Sequence, residues 1–540
     1  MTGVAFGAPG TPNMQPVTQP SPAIANPVYN DPQPVTGGDD GAADDPAPGP
    51  SSSGGPDGSA PDAAQAQGSR PDAAPDARPD PGPDAGPARG GQGQRGGSGQ
   101  RGGSAPGGTA PGGTAPGGTA PGGTAPGGTA PGGTAPGGTA PGGTAPGGTA
   151  PGGTTTGPTT SVDCNADALI SALVSTNTGG GGTLSLANNC TYTLTAVSAP
   201  PAAQVGDGLP TIVQPVTIVG NNATIVRAAS ATAFRIFDVG NGGSLTLQNL
   251  TVSGGLDSSA SAGGAGIRVQ AGGNANLSHI TVRGNQSVAG GGGGIDNAGV
   301  VVLADSVVTG NTAAGDGGGA RNNGFLGVDD STLSGNTGAR GGAVFSNGGL
   351  ELIDSTLSHN HASQQGGAVF LNNLAGTTTV NHSTISDNNA ASNGGGIFSQ
   401  GILSLRGNST VSGNYTGGNG GGVFVSGGSA TTVEDSKITG NTSLGDGSGL
   451  FNSGSDVVLR RGEISDNNAI GRDAQGGLAS VSGGTVALFS THIENNSSTA
   501  GPGGLFAQNS PITVDPASVI VGNRPGNCAG GTTTVPNCFG

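Results

Sequence analysis

The sequence predicts an all-β fold, a parallel solenoid in which each repeat forms one coil, and two observations carry this prediction. The first is a pattern repeated from about Val269 onward: an aliphatic strand, Ser-x-aliphatic-x-Gly/Asp-Asn, a polar loop and Gly-Gly-x-aliphatic. The second is its period, because successive copies of the Asn lie 24 to 29 residues apart. Repeats of this length, with strand-sized apolar segments and no helical pattern, are typical of solenoids. The repeated asparagines are Asn285, Asn311, Asn336, Asn360, Asn388, Asn414, Asn441, Asn467, Asn496 and Asn523.

Within one repeat, apolar and polar residues alternate as they do in strands with one buried face. Leu350 and Leu352 share an inner face, and after a bend Leu357 again points inward while Thr356 and Ser358 point outward. The Gly-Gly segment adds a third short strand. Stacked coils place neighbouring strands about 4.8 Å apart, so roughly 380 residues would give about fourteen coils.

The repeated asparagines are interpreted as a structural ladder. An Asn at one tight turn of every coil can donate its amide to the Asn of the neighbouring coil and satisfy buried backbone groups of the turn. A column of small inward serines is expected beside it, formed by Ser306, Ser331, Ser355, Ser383, Ser409 and Ser436.

The composition divides the chain into a tail and one large domain. Residues 1–160 consist mainly of Pro, Gly, Ala, Asp and Ser, and Ala105–Thr154 is ten copies of Ala-Pro-Gly-Gly-Thr. Such a segment buries too little surface to offset its ordering entropy, so we expect a disordered tail or linker. The domain is predicted over 161–540, with an N-terminal cap and first coils at 161–240, regular repeats at 241–523 and a C-terminal closure at 524–540.

The first coil of a solenoid exposes strand edges that must be covered. A short capping helix is predicted within Asp163–Thr178 for this purpose. Asp163 or Asn165 can cap its first turn, and Leu169 and Leu173 lie on one side of it.

All four cysteines stand at the two ends of this domain, and the repeats contain none. Cys164 with Cys190, and Cys528 with Cys538, are predicted as two local disulfides, which indicate an oxidising compartment. Unpaired thiols in a cytosolic protein are the alternative. We expect an extracellular or cell-surface location, although Met1–Pro20 has no basic region and no apolar core typical of a signal peptide. The true start is therefore expected upstream, and the alternatives are another export route or a protein that is not secreted.

Charge excludes some partners. The domain holds 12 Lys and Arg against 22 Asp and Glu, a net of −10, and the tail holds 5 against 11, a net of −6. A nucleic-acid partner would need a basic face, so none is expected. No stretch of about 20 apolar residues is present to span a membrane. Because like-charged copies repel one another, we expect a monomer.

The repeats resemble a known group of bacterial proteins. Gly341-Gly342-Ala343-Val344-Phe345 and the segment Gly366–Phe370, each after Ser-x-Leu-Ser-x-Asn, are similar to the repeats of polymorphic outer-membrane proteins. More broadly they resemble secreted right-handed parallel β-helix proteins of the pectin-lyase-like group. This resemblance implies a right-handed parallel β-helix solenoid over 161–540. The members of this group include adhesins. We expect no C-terminal β-barrel of the kind that anchors the polymorphic proteins, and no clustered acids with Arg or Lys typical of pectin-degrading relatives are obvious in the repeats.

A phenylalanine recurs at one position of the Gly-Gly strand and is the candidate ligand-binding feature. Arg268, Asp296 and Arg321 occupy the same position in other repeats, so it is expected to face outward. An exposed apolar stripe typically marks an interaction surface, and aromatic rings can stack on sugars. The partner would be a polysaccharide or a cell-surface protein, although rings that stack only to stabilise the sheet are the open alternative. The candidate residues are Phe345, Phe370, Phe398, Phe424 and Phe451.

Two sets of ionisable residues are candidates for an active site or a metal site. Glu434, Asp435 and Lys437 stand one repeat before Arg460, Arg461 and Glu463, an arrangement more typical of solvated cross-strand pairs than of a catalytic set. His359, His361 and His382 have no carboxylate nearby in the pattern. We therefore predict no catalytic residues, no metal and no cofactor. The predicted function is a non-enzymatic binding, adhesion or structural role, and the alternative is a polysaccharide lyase or glycoside hydrolase on the same scaffold.

Overall fold

A computed structural model describes residues 159–198, 206–259, 263–373, 376–530 and 534–539. These residues form a parallel β-solenoid of about 13 turns with almost no helix, which confirms the predicted fold class. The predicted disordered tail lies outside the described residues except for Thr159 and Thr160, which begin the first strand.

Three long sheets run through the stacked coils, and every strand pair described between coils is parallel. The 25-stranded sheet 1 contains two adjacent rows of strands, the 12-stranded sheet 2 holds the Gly-Gly strands, and the 10-stranded sheet 3 follows the ladder asparagines. The two-residue strands of sheet 3 were not predicted. Gly206–Asp207 pairs separately with Phe234–Arg235.

The strands follow the repeat. The first row of sheet 1 consists of Thr159–Val162, Gly182–Leu186, Pro215–Arg227, Ser244–Ser253, Asn274–Ser278, Val300–Ala304, Phe325–Asp329, Gly349–Ile353, Thr378–Asn381, Leu403–Arg406, Ala430–Glu434, Asp456–Arg460, Thr485–Phe489 and Ile512–Val514. Its second row consists of Thr191–Leu194, the distal parts of Pro215–Arg227 and Ser244–Ser253, then Thr281–Arg283, Val307–Thr309, Thr332–Ser334, Thr356–Ser358, Thr384–Ser386, Thr410–Ser412, Lys437–Thr439, Glu463–Ser465, His492–Glu494 and Val519–Val521.

Sheets 2 and 3 complete each coil. The strands of sheet 2 are Phe237–Val239, Ile267–Val269, Ile295–Asn297, Ala320–Asn322, Val344–Ser346, Val369–Leu371, Ile397–Ser399, Val423–Ser426, Leu450–Ser453, Leu478–Val481, Leu505–Gln508 and Cys528–Gly530. Those of sheet 3 are Leu256–Asp257, Gln286–Ser287, Thr312–Ala313, Thr337–Gly338, His361–Ala362, Asn389–Ala390, Tyr415–Thr416, Thr442–Ser443, Asn468–Ala469 and Ser497–Ser498.

The asparagine ladder is confirmed, and Asn360 shows its geometry. The side chain Nδ2 of Asn360 donates to Oδ1 of Asn388 in the next coil at 3.0 Å and to the carbonyl oxygen of Leu333 at 2.9 Å. The backbone N–H of Asn360 donates to the same Oδ1 of Asn388 at 2.9 Å. Both asparagines are buried. Each amide therefore satisfies turn groups of two coils, and the repeat at this position is explained by hydrogen bonding.

The serine column has a related role at the bend between the two rows of sheet 1. The backbone N–H of Ser331 donates to Oγ of Ser355 at 3.1 Å, and that of Ser355 donates to Oγ of Ser383 at 3.1 Å. The hydroxyl of Ser355 donates to the carbonyl oxygen of Ile353 at 2.6 Å. Small buried hydroxyls thus satisfy the backbone where the strand bends.

The N-terminal end carries the helix Ala166–Thr178, as predicted. Asn165 is its N-cap, because its side chain accepts a hydrogen bond from the N–H of Asp167 at 2.8 Å. Leu169 and Leu173 are fully buried in the main core.

Both predicted disulfides are present, Cys164–Cys190 at the N-terminal end and Cys528–Cys538 at the C-terminal end. In the C-terminal segment, Val535 is buried in the main core. Over the described residues, no helix has the length and apolar character needed to cross a membrane.

Candidate functional site

One outward position of sheet 2 forms a continuous column, which we call the sheet 2 column. Its neighbours in each strand, such as Val344, belong to the main core, whereas the aromatic members of the column form a second cluster. Strand pairing sets the column in register from coil to coil. Its members are Asp238, Arg268, Asp296, Arg321, Phe345, Phe370, Phe398, Phe424, Phe451, Ala479 and Phe506.

The aromatic part of the column is a stack of rings, one for each coil. Phe398 lies 4.8 Å from Phe370 and 4.8 Å from Phe424, centroid to centroid, with ring planes within 4° and 6° of parallel. The outer pairs, Phe345–Phe370 and Phe424–Phe451, lie 5.3 and 5.1 Å apart. The sheet spacing therefore sets the stacking distance of the rings.

The expectation that this stripe faces solvent is wrong. Its phenylalanines are between 2% and 9% exposed. Stacked rings cover one another's faces, and the glycine turn before each strand lies against the base of the side chain. A Cβ built on Gly420 would lie 2.8 Å from Cβ of Phe424, and one on Gly447 would lie 2.8 Å from Cβ of Phe451. The ligand-binding role of Phe345, Phe370, Phe398, Phe424 and Phe451 stays a prediction, because their burial leaves the rings unavailable in this conformation.

Earlier coils fill the same position with ion pairs. Arg268 Nε donates to Asp238 Oδ1 at 2.6 Å, and the other carboxylate oxygen of Asp238 accepts from Gln270 at 2.7 Å. Arg321 and Asp296 form a bidentate pair at 2.6 and 2.8 Å. Glycine turns lie against these side chains too, since a Cβ on Gly264 would lie 2.9 Å from Cβ of Asp296. Desolvated pairs of this kind are stable only when both charges remain matched.

Arg340 joins the charged part of the column to the aromatic part. Its guanidinium forms a bidentate pair with Asp316 at 2.8 and 2.6 Å. The same guanidinium lies 4.9 Å from the ring centroids of both Phe345 and Phe370. It therefore neutralises Asp316 and lies over the first two rings of the column.

A second acid–arginine group lies in the first coils. Arg235, 1% exposed, donates to Asp207 Oδ1 at 2.9 Å. Its Nη2 atom lies 4.0 Å from Oδ2 of the fully buried Asp257, and among the residues that the structure describes neither of these two atoms has a hydrogen-bond partner. Burial raises the pKa of Asp207 above its usual value, although the charge of Arg235 acts in the opposite direction. Asp207 therefore favours its neutral form more than a free aspartic acid does.

Sequence reasoning did not identify these acid–arginine groups. The signal was present, because Asp238, Arg268, Asp296 and Arg321 follow one another at one position of successive repeats. Opposite charges one repeat apart predict contact in a solenoid. The group around Arg235 gave no such signal, since Asp207 lies ahead of the regular repeats.

The structure places the predicted Glu434–Glu463 charges on the exposed outer face of sheet 1. Arg461 contacts Asp435 at 2.6 Å and Glu434 at 2.8 Å, and Lys437 contacts Glu463 at 2.7 Å. The interpretation as solvated cross-coil pairs agrees with these contacts. Arg460 departs from it, because its guanidinium lies 4.7 Å from the ring centroid of Phe489.

The three histidines lie at different positions of their coils. His382 follows the first row of sheet 1 in its coil, and His359 follows the second row, directly before a ladder asparagine. His361 lies on sheet 3. Over the described ranges, no group of three His, Cys, Asp or Glu side chains is arranged to hold a metal ion.

Comparisons with known proteins identify no family. No family model matches the chain, and no curated protein matches it. Among solved structures, the A-module of the mannuronan C-5 epimerase AlgE6 of Azotobacter vinelandii is similar over 68% of this chain and 96% of the module. The two share 16% sequence identity with a TM-score of 0.30. At these values the similarity carries no inference about activity.

Proposed function

We propose that the protein is a non-enzymatic extracellular scaffold with a binding or structural role at a cell surface. The observation that carries this proposal is the state of the acids in the sheet 2 column. Asp238 and Asp296 are both buried and held in ion pairs, and glycine turns lie against Asp296. An acid or base that acts on a polysaccharide must reach the glycosidic bond or a ring proton. The column therefore supports packing of the coils better than it supports catalysis.

Two features support the extracellular location. Both disulfides close loops at the ends of the solenoid, and disulfides persist in oxidising compartments. The repeats also resemble those of secreted and surface-exposed parallel β-helix proteins, some of which are adhesins. With its net charge of −16, the protein would stay soluble there.

The proposed partner is a polysaccharide. The solenoid offers long, regular outer faces, and such faces suit a ligand that repeats along its length. A cell-surface protein is the other partner consistent with these faces.

The non-enzymatic part of the proposal is tested by looking for products. The full-length protein is incubated with plant, bacterial and host polysaccharides, with and without calcium, and unsaturated and reducing ends are followed over time. We expect no new ends with any substrate. New ends that scale with protein concentration would overturn the proposal.

One observation favours the alternative, a polysaccharide lyase or glycoside hydrolase. Asp207, with its raised pKa, lies beside Arg235 and is partly exposed at 19%. A carboxyl with a raised pKa keeps its proton to a higher pH than a free aspartic acid does, which favours a role as general acid. If product ends were found, Asp207→Asn should abolish them, whereas Asp435→Asn on the exposed face of sheet 1 should leave them unchanged.

A further inference from the structure

A regular array of hydroxyl groups covers part of the outer face of sheet 1. In four successive coils the second-row strand reads Thr-x-Ser, and its middle residue is buried. Strand pairing sets the four threonines in one column and the four serines in another. We call this array the hydroxyl face, and its members are Thr332, Ser334, Thr356, Ser358, Thr384, Ser386, Thr410 and Ser412.

These hydroxyls are available to a ligand. Ser334 donates to Thr309 at 3.2 Å, and none of the other seven has an intramolecular hydrogen bond in the part of the chain that the structure describes. All eight residues are partly exposed. Threonine is stiff at χ1, so the four threonine hydroxyls have few orientations before any ligand binds. Binding then costs little side-chain entropy.

The array has a repeat along the solenoid axis. Neighbouring strands of a sheet lie about 4.7–4.9 Å apart, so each column presents one hydroxyl at that interval. Every hydroxyl can donate one hydrogen bond and accept others. A ligand engages all four coils together only if it also presents donors and acceptors at a similar interval along its length, as a linear polysaccharide does.

Charge around the array restricts the kind of polysaccharide. The hydroxyl face itself has no charged member, but acids border it on both sides. Asp330 and Asp354 precede Thr332 and Thr356 in the turn between the two rows, and Asp387 follows Ser386. All three acids are exposed. They would repel a polyanion and leave a neutral chain unaffected.

We infer that the hydroxyl face binds a neutral, unbranched polysaccharide that lies along the solenoid axis. This inference rests on the proposed binding function and assigns its partner class and its surface. Aromatic stacking takes no part in this contact, because the rings of the sheet 2 column are buried. Affinity comes from hydrogen bonds repeated over adjacent coils, and therefore depends on the length of the ligand.

The test uses the full-length protein with matched variants. Thr356→Lys with Thr384→Lys interrupts the array, and the fold should tolerate it because Lys437 and Glu463 occupy the same column in later coils. Thr312→Lys with Thr442→Lys, on sheet 3, adds the same charge on another face. Retention on insoluble cellulose, chitin and β-1,3-glucan is compared with binding to polygalacturonate and alginate, while product ends are followed in parallel.

We expect retention on at least one neutral polysaccharide, a loss of about tenfold or more in the sheet 1 variant, and wild-type retention in the sheet 3 variant. Equal losses in both variants, preferential binding of polyanions, or no retention on any neutral polysaccharide would overturn the assignment of this face. Those outcomes leave the non-enzymatic scaffold intact, because only the appearance of product ends contradicts it. Circular dichroism of both variants verifies that each is folded.

Discussion

The two halves of the sheet 2 column solve the same packing problem with different chemistry. Between Asp238 and Arg321 this outward position is filled by ion pairs, and between Phe345 and Phe506 it is filled mainly by stacked rings. Backbone pairing and the turns continue through both halves. Residue identity at an outward position of a solenoid therefore does not reveal its exposure, because stacking or ion pairing between coils can bury either kind of side chain.

The largest expected effect lies in the aromatic half. Phe398→Ala removes a ring stacked on both sides and should destabilise the protein by about 3–5 kcal/mol, since the rigid coils collapse little around the cavity. Phe506→Ala should cost less, because Ala479 separates Phe506 from the stack. Chemical denaturation measures both. Equal losses at the two sites would contradict stacking as the source of stability.

In the charged half, breaking one pair should cost about 3 kcal/mol. Arg321→Ala leaves Asp296 buried without its bidentate partner. Replacing both residues by Leu should restore most of the loss, because it removes the uncompensated charge and keeps the volume filled. A double variant no more stable than Arg321→Ala would show that the pair has a role other than packing.

The asparagine ladder continues through the coils of both halves, so an Asn→Ala substitution should cost a similar amount of stability in each half. Asn311→Ala and Asn388→Ala each leave donors of the preceding asparagine unpaired in a buried turn. We expect about 2–4 kcal/mol of destabilisation in both variants, measured by denaturation. A much larger loss in one half would indicate that the ladder and the sheet 2 column are coupled.

The acid–arginine group of the first coils and the aromatic half of the column should also differ in how their stability responds to pH. Because burial raises the pKa of Asp207, the native state holds that proton to a higher pH than the unfolded chain does. Its contribution to stability is present below the unfolded value of 3.8 and is lost as pH rises through the folded pKa. Asp207→Asn should therefore gain stability relative to wild type as pH rises from 3.8. The difference in stability between Phe398→Leu and wild type should not depend on pH. If the wild type instead became more stable relative to Asp207→Asn as pH rises, the assigned sign would be wrong.

The smallest effect is expected at the exposed pairs of sheet 1. Lys437→Met should cost about 0.2–1 kcal/mol, since Lys437 is 58% exposed and solvent screens the pair. The hydrogen bond from Lys437 lowers the pKa of Glu463, so this contribution is present at neutral pH and lost as pH falls through the folded pKa. Salt should weaken it as well. A loss as large as that of Arg321→Ala would remove the distinction between buried and exposed pairs.

The sequence predicted most of the solenoid because its main determinants repeat. The period placed Asn360 and Asn388 in one ladder, and alternation placed Leu357 inside and Thr356 outside. The exposure of Phe398 was mispredicted because Arg321 at the equivalent position indicated a polar environment. That inference failed since the charge of Arg321 is matched by Asp296 beneath the turns, a tertiary contact between residues 25 positions apart.

The most direct test of this account is a paired comparison of stability and retention. Phe398→Leu with Phe424→Leu alters the buried stack, and Thr356→Lys with Thr384→Lys alters the hydroxyl face. Both variants are measured by denaturation and by retention on the neutral polysaccharide that the wild type binds. We expect the Phe variant to lose stability and keep retention, and the Thr variant to keep stability and lose retention. Retention lost in the Phe variant at a temperature where it is fully folded, and kept in the Thr variant, would contradict this account.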